Sequence, residues 1–206
     1  DKNTQSGFYT EKMKYDNCRI ILASASPRRR ELLARLIPKF DIVCADIDES
    51  VPCGILPPDA CRQLAVMKAE AVFKAYPEAL VIAADTVVEK DGHLLGKPAD
   101  KVQAFEMLKA LSGSAHMVHT GLCVRFNGKC LSCTESTQVF FDTLSDSEIN
   151  SYIASGEPLD KAGAYGIQGK GGCFVKKVDG CFYNVVGLPL NRLKNMLASA
   201  DISDGD

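Results

Sequence analysis

"LASASPRRRELL", residues 22–33, carries a strand into a helix. The apolar run "RIILA" (19–23) reads as a short strand, and a helix is predicted over about 27–37, with Ser26 as N-cap and Pro27 as first helical residue. That places Arg28, Arg29 and Arg30 in the first turn. A helix start already carries partial positive charge, and each cation there is disfavoured by about 0.3–1 kcal/mol. Positive charge stacked on a positive pole needs negative charge from elsewhere. The free N–H groups of a helix start favour anions. Ser24 and Ser26 add hydroxyl donors, and Arg28 and Arg29 add planar forks suited to phosphate or carboxylate. The competing reading is a solvated arginine face. Three adjacent residues cannot share one helix face, so at least one arginine is expected to be exposed.

Working outward, "FDIVCA" (40–45) reads as a second strand and "DIDESVPCGILPPD" (46–59) as a loop. Residues 59–76 place Cys61, Leu64, Ala65, Ala69, Val72, Phe73 and Tyr76 on one helical face, and Pro77 stops that helix. "ALVIAADTVVEKDGHLLG" (79–96) predicts a buried strand ending in Asp85 and Thr86, then a hairpin at Asp91-Gly92. A helix follows over about 100–111. Strands over 115–126 and 129–142 turn near Asn127-Gly128. "SDSEINSYIAS" (145–155) is a helix with a capping box, Ser145 with Glu148. Residues 156–172 are a glycine-rich loop, "CFVKKVDGCFYNVV" (173–186) predicts a hairpin turning at Asp179-Gly180, and "LPLNRLKNMLAS" (188–199) a closing helix with Pro189 in its first turn. Helices interleaved with hairpins predict an α/β fold with a mixed sheet.

The 206 residues are 46 % hydrophobic and 24 % charged, with a formal net charge of −2, an ordinary globular balance with material for a real core. Such a chain does not read as a nucleic-acid binder, which needs many Lys and Arg contacts to phosphates. A basic pocket for one small anion is compatible with it. No apolar run is long enough to predict a membrane span. The opening "DKNTQSGFYTEKMKYDN" lacks the apolar stretch of a secretory signal, so a cytoplasmic location is expected. Residues 1–18 and 201–206 read as flexible polar segments around a single domain over 19–200. Nine cysteines are scattered along the chain. The one close pair, Cys130 and Cys133 in "CLSC", lies in a strand run, where ordinary reduced thiols are expected.

Several residues stand out as carriers of chemistry. Asp85, at the end of a core strand, is expensive to bury without a metal ion, lysine or arginine beside it; the bland alternative is a turn aspartate. The acidic loop "ADIDES" offers Asp46, Asp48 and Glu49, oxygen ligands of the kind Mg²⁺ takes together with substrate phosphates. Lys68, Lys97, Lys161 and Lys170 are scattered cations, each by itself an ordinary surface charge. "GEPLDKAGAYGIQGKGG" (156–172) misses the Walker spacing: five residues separate Gly163 from Gly169, and Gly171 follows Lys170. Gln168 in that loop has the donor and acceptor needed to read a base edge. His116 and His119, three apart, fall on opposite faces of a strand, and no Ser-His-Asp or Cys-His arrangement is legible.

Taken in order, "LASASPRR", "AADTVV", "GKP", "LSGSAHMVHTG", "GEPLDKAGAYGIQGKGG" and "NVVGLPL" resemble the Maf family of nucleoside triphosphate pyrophosphatases, also called septum formation proteins. The resemblance covers roughly residues 19–198. It implies a long mixed sheet with flanking helices and two lobes around a deep cleft, similar to the inosine triphosphatase fold. It also implies hydrolysis of a nucleoside triphosphate to monophosphate and pyrophosphate with a divalent metal, Mg²⁺ or Mn²⁺. Members acting on dTTP and UTP carry an arginine, a threonine and a glutamine at three specificity positions, matched here by Arg28, Thr86 and Gln168. The family's proton-accepting aspartate falls on Asp85, and its phosphate- and metal-handling positions on Ser24, Arg29, Glu49, Lys68 and Lys97, with Asp85 and Glu49 as the metal pair; Asp85 either takes the proton of the attacking water or only holds the metal that acidifies it, and the sequence does not separate the two. The sequence departs from the family in the middle alanine of "SAS" and the extra leading segment. The expected partner is the nucleotide, with no nucleic acid and no membrane; a homodimer is left open. Two rivals remain at this point. One is a non-catalytic nucleotide-binding regulator of cell division. The other is a thiol redox protein using Cys130 and Cys133.

Overall fold

The structure, a computed structural model, describes residues 18–52 and 54–200. The leading segment up to residue 17 and the tail 201–206 lie outside the described residues. In chain order the elements are β1 (Ile20–Leu22), α1 (Pro27–Leu36), β2 (Asp41–Ile42), α2 (Pro57–Ala75), β3 (Leu80–Lys90), β4 (His93–Leu95) and α3 (Lys101–Leu111). Then come β5 (Ala115–Phe126), β6 (Lys129–Phe141), α4 (Asp146–Ala154), three short 3₁₀ turns between 157 and 174, β7 (Val175–Asp179), α5 (Phe182–Val186) and α6 (Leu190–Ala200). The strands form one mixed sheet in the order β2-β1-β3-β5-β6-β7, with β4 against the far end of β3. β1 runs parallel to β2 and β3, and the other pairings are antiparallel. No helix among the described residues is long and apolar enough to cross a membrane.

Local signals account for most boundaries. Ser26 caps α1, its hydroxyl accepting from Arg29 N, with Pro27 next. The capping box of Ser145 and Glu148 is present on α4. Asp91-Gly92 and Asn127-Gly128 take up left-handed φ values, as two-residue hairpin turns require. The predicted face of α2 is the buried one at Cys61, Leu64, Ala65, Ala69 and Val72.

Three expectations need correction. The buried strand does not end at Asp85: β3 continues to Lys90, paired with β5 along nearly its whole length. Only its other edge is interrupted, since β1 pairs from Ile20 to Leu22 and β4 resumes at Val88. Asp85 and Thr86 face the gap where the chain leaves β1 for α1. The segment after Asp179 is not a returning strand but the helical turn α5. Thr137 Oγ1 accepts from Cys181 N, and the buried Asn184 amide donates to Val118 O and Thr137 Oγ1, which pins this segment across the sheet face. Pro189 precedes α6 rather than lying in its first turn; its carbonyl accepts from Leu193 N.

Alternation along β3 decides what each face of the sheet meets. Val81 and Ala83 pack with Ala65, Ala69 and Val72 of α2, while Ile82 and Ala84 pack with Leu32, Leu33, Leu193 and Leu197 of α1 and α6. A further core of α3, α4 and the distal strands surrounds Val88, Val118 and Val139. The long strands therefore join two lobes.

In the distal core, buried His116 bonds the Tyr165 hydroxyl through Nε2 at 2.8 Å, and its Nδ1 has no hydrogen-bond partner among the described residues. Burial, aided by Lys90, lowers its pKa from 6.5 to about 4. The unfolded chain therefore binds the extra proton between these values, and stability falls as pH drops through that window. The loss is expected to be about 2 kcal/mol between pH 7 and pH 5. Urea unfolding of wild type and His116→Gln at both pH values checks this: the variant should lose correspondingly less on acidification, and equal losses refute it.

Candidate active site

Because Asp85 and Thr86 are adjacent on β3, they point to opposite faces, and each meets a cation from the helix on its own side. From α2, Lys68 Nζ lies 2.5 Å from Asp85 Oδ1 and 3.0 Å from Glu49 Oε1 of the β2–α2 loop. From α1, Arg29 Nη2 donates to Thr86 Oγ1 at 3.0 Å, Nη1 to Ser24 Oγ at 3.2 Å and Nε to Gly187 O at 2.9 Å. Burial pulls the Arg29 pKa below its ordinary value, and the Asp85 charge pushes it back.

These groups open onto a cavity of about 600 Å³ between the lobes. The nine positions that the family resemblance assigns to the site all line it: Ser24, Arg28, Arg29, Glu49, Lys68, Asp85, Thr86, Lys97 and Gln168. They reach it from the β1–α1 turn, α1, the β2–α2 loop, α2, β3, the segment after β4 and the glycine-rich loop. Five cationic side chains (Arg28, Arg29, Lys68, Lys97, Lys161) and three carboxylates (Glu49, Asp85, Asp160) line the wall, so positive charge is in excess. Lys97 makes no ion pair among the described residues, and Arg28 has only Asp160, at 3.7 Å. The three arginines of the first turn thus divide. Arg28 and Arg29 turn to the cavity, whereas Arg30 is exposed, a surface charge.

Other candidates separate in the same way. Asp46, Asp48 and Lys170 do not line the cavity. Asp48 is occupied by the backbone N–H and hydroxyl of Ser50, which hold its pKa below the ordinary value. Asp160 is a cavity residue that sequence reasoning missed; it bridges Arg28 and Lys161. Glu157, also missed, anchors the glycine-rich loop by accepting from Lys170 N, Gly171 N and the Tyr152 hydroxyl. Burial works to raise its pKa, but these donors outweigh it and leave the group below its usual range. The sequence signal for either was its place in the glycine-rich segment that also carries the family resemblance, which named neither.

The cysteine pair does not form a dithiol. Three apart on β6, Cys130 and Cys133 point to opposite faces. Cys133 Sγ contacts Met196 Sδ at 3.2 Å, while Cys130 Sγ lies 3.6 Å from Cys123 of β5. Burial raises the Cys133 pKa, the reverse of thiolate activation. A Ser-His-carboxylate row, illegible in the sequence, does exist: His119 bonds Ser136 Oγ and Glu89 Oε2 at 2.7 and 2.9 Å. It lies outside the cavity lining.

A family model described as Maf-like protein matches residues 19–200. A dTTP/UTP pyrophosphatase of Syntrophomonas wolfei is 50 % identical over 179 residues, covering 86 % of this chain and 95 % of that protein. One from Clostridium beijerinckii is 50 % identical over 183 residues, covering 87 % and 97 %. Among solved structures, the Staphylococcus aureus Ham1 protein aligns with a TM-score of 0.52 at 14 % identity, covering 89 % of this chain and all of that one, a likeness of fold.

Proposed function

The chain belongs to the Maf family, and from that premise we propose that it hydrolyses dTTP and UTP to the monophosphate and pyrophosphate. The observation that carries this reading is that the nine positions assigned by the family resemblance all open onto one cavity, rich in positive charge. The names of its relatives support the substrate class. A nucleotide-binding regulator would use the same basic wall, but the paired acids at its base, Asp85 and Glu49, favour an enzyme.

In this reading Arg28, Arg29 and Lys97 bind the phosphates, whose charge complements the wall. Lys68 fixes Asp85 through Oδ1, leaving Oδ2 without a protein hydrogen bond among the described residues. Asp85 then orients a water for attack on the α-phosphorus and accepts its proton, and pyrophosphate leaves. The acids also bear on the divalent cation. No group of three or more His, Cys, Asp or Glu side chains with metal-site geometry occurs among the described residues, so an all-protein cage does not fit. A hard ion held by two carboxylates and completed by phosphate and water does fit. Asp85 and Glu49 would hold Mg²⁺ or Mn²⁺, which when bound neutralises charge on the phosphate oxygens. The catalytic unit is taken as residues 19–200 and its substrate source as the cytoplasmic nucleotide pool.

A pyrophosphate-release assay across ordinary and modified triphosphates, with and without Mg²⁺ or Mn²⁺, tests the proposal. Turnover of dTTP and UTP above the purine nucleotides is expected, and binding without pyrophosphate release would favour the regulator. Gln168, exposed at the cavity wall, is assigned to the base edge. Gln168→Ala should lower kcat/KM for dTTP by about tenfold, the loss of one polar contact. Inhibition by pyrophosphate, which has no base, should be unchanged; a matching loss there would place Gln168 on the phosphates instead.

A further inference from the structure

Arg29 is held without a carboxylate. Among the described residues none lies within ion-pair distance of it, and its three protein acceptors are neutral oxygens. Two of them lead to the same place. Arg29 Nη2 donates to Thr86 Oγ1, which is 2.9 Å from Thr120 Oγ1. The Thr120 hydroxyl donates to Asn184 O at 3.0 Å, so toward Thr86 it can only accept. Thr86 must therefore donate to Thr120, which leaves its lone pairs for Arg29. By the other route Arg29 Nε donates to Gly187 O, and Gly187 N donates to Asn184 O at 2.9 Å. The Asn184 carbonyl receives both chains. Asn184 and Thr120 are fully buried, and the Asn184 amide is fixed by Val118 O and Thr137 Oγ1.

Building on the proposed activity, we infer that Thr120, Asn184 and Gly187 are positioning residues of the reaction: a closed ring of neutral hydrogen bonds that orients Arg29 toward the phosphates. A carboxylate in their place would orient the guanidinium equally well but cancel its charge. The neutral ring keeps that charge for the ligand and leaves the second N–H of Nη1 and of Nη2 without a partner among the described residues. Gly187 is required on two counts. Its φ of +118° disfavours other residues, and a Cβ would stand 3.3 Å from Thr86 Oγ1 and 3.6 Å from Arg29 Nε.

The test is a double-mutant cycle in the full chain, read by calorimetric binding of inorganic pyrophosphate, by kcat and KM for dTTP, and by Tm. Thr120→Val keeps the shape and removes the acceptor. It should weaken pyrophosphate binding and raise KM by about tenfold, with kcat less affected, and Thr120→Ser should restore both. In an Arg29→Lys background, where the fork is already lost, Thr120→Val should add less than twofold. An undiminished penalty in that background, or equal defects in the Val and Ser variants, overturns the inference. Thr120→Ala carries the same test should the valine variant not fold. Because pyrophosphate binding needs no turnover, a wild type that binds it but cleaves no dTTP would count against the activity and leave the ring to be judged on binding.

Discussion

Asp85→Asn is expected to lower kcat on dTTP by a factor of about 10²–10⁴ while leaving the protein folded, the range for loss of a positioned general base. The substitution is nearly isosteric, so the packing of β3 against α2 is kept. It removes the carboxylate of β3 that lines the cavity at the gap in the strand edge, the group proposed to orient the attacking water. Lys68 is largely shielded, with 11 % of its side chain exposed, but it keeps Glu49 at 3.0 Å, so no unpaired cation is created. Circular dichroism and Tm should therefore stay close to wild type. Retention of more than about a tenth of the activity, a barrier change under roughly 1.4 kcal/mol, would refute an essential role for Asp85.

The second large effect is on assembly. Gly121 lies opposite Asp85 on β5, on the face that α2 covers. A Cβ there would penetrate the Cys61 carbonyl and the Arg62 nitrogen, which are backbone atoms of α2. No side chain can rotate to make room, so the helix itself must lift. Overpacking ordinarily costs about 1–3 kcal/mol, and with rigid backbone on both sides Gly121→Ala should exceed about 3 kcal/mol. For a domain of this size that lowers Tm by roughly 6–12 °C. The same displacement carries Lys68 away from Asp85, so residual folded protein should also lose turnover. A variant with unchanged Tm and full activity would show that α2 does not sit on β5 as described.

Both predictions bear on how far the chain can be read without its fold. Signals confined to a few neighbouring residues were legible. Ser26-Pro27 starts α1, the Ser145–Glu148 box starts α4, and Asn127-Gly128 closes the β5–β6 hairpin. The site residues were found by family resemblance and by charge out of place, as at the arginines of α1. Thr120, Asn184, Asp160 and Glu157 lie inside the motifs that carry the resemblance, but it gave them no role, because their roles lie in what they touch. Asp179-Gly180 misled because a turn signal says that the chain bends, not where it goes next. The bonds that hold α5 across the sheet run from its Cys181 and Asn184 to Thr137 and Val118, on strands far away in sequence.

The sequence alone determined the α/β class, most of the elements and the adjacency of Asp85 and Thr86, because these follow from bonded neighbours and from periods of two and 3.6 residues. Only the tertiary structure decided which helix covers each side of that pair. Lys68 reaches Asp85 across 17 residues of chain, and Arg29 reaches Gly187 across 158. Contacts at such separations leave no local periodicity. They exist because burial of the two sheet faces under α1 and α2 brings the two cations to one gap in the strand edge.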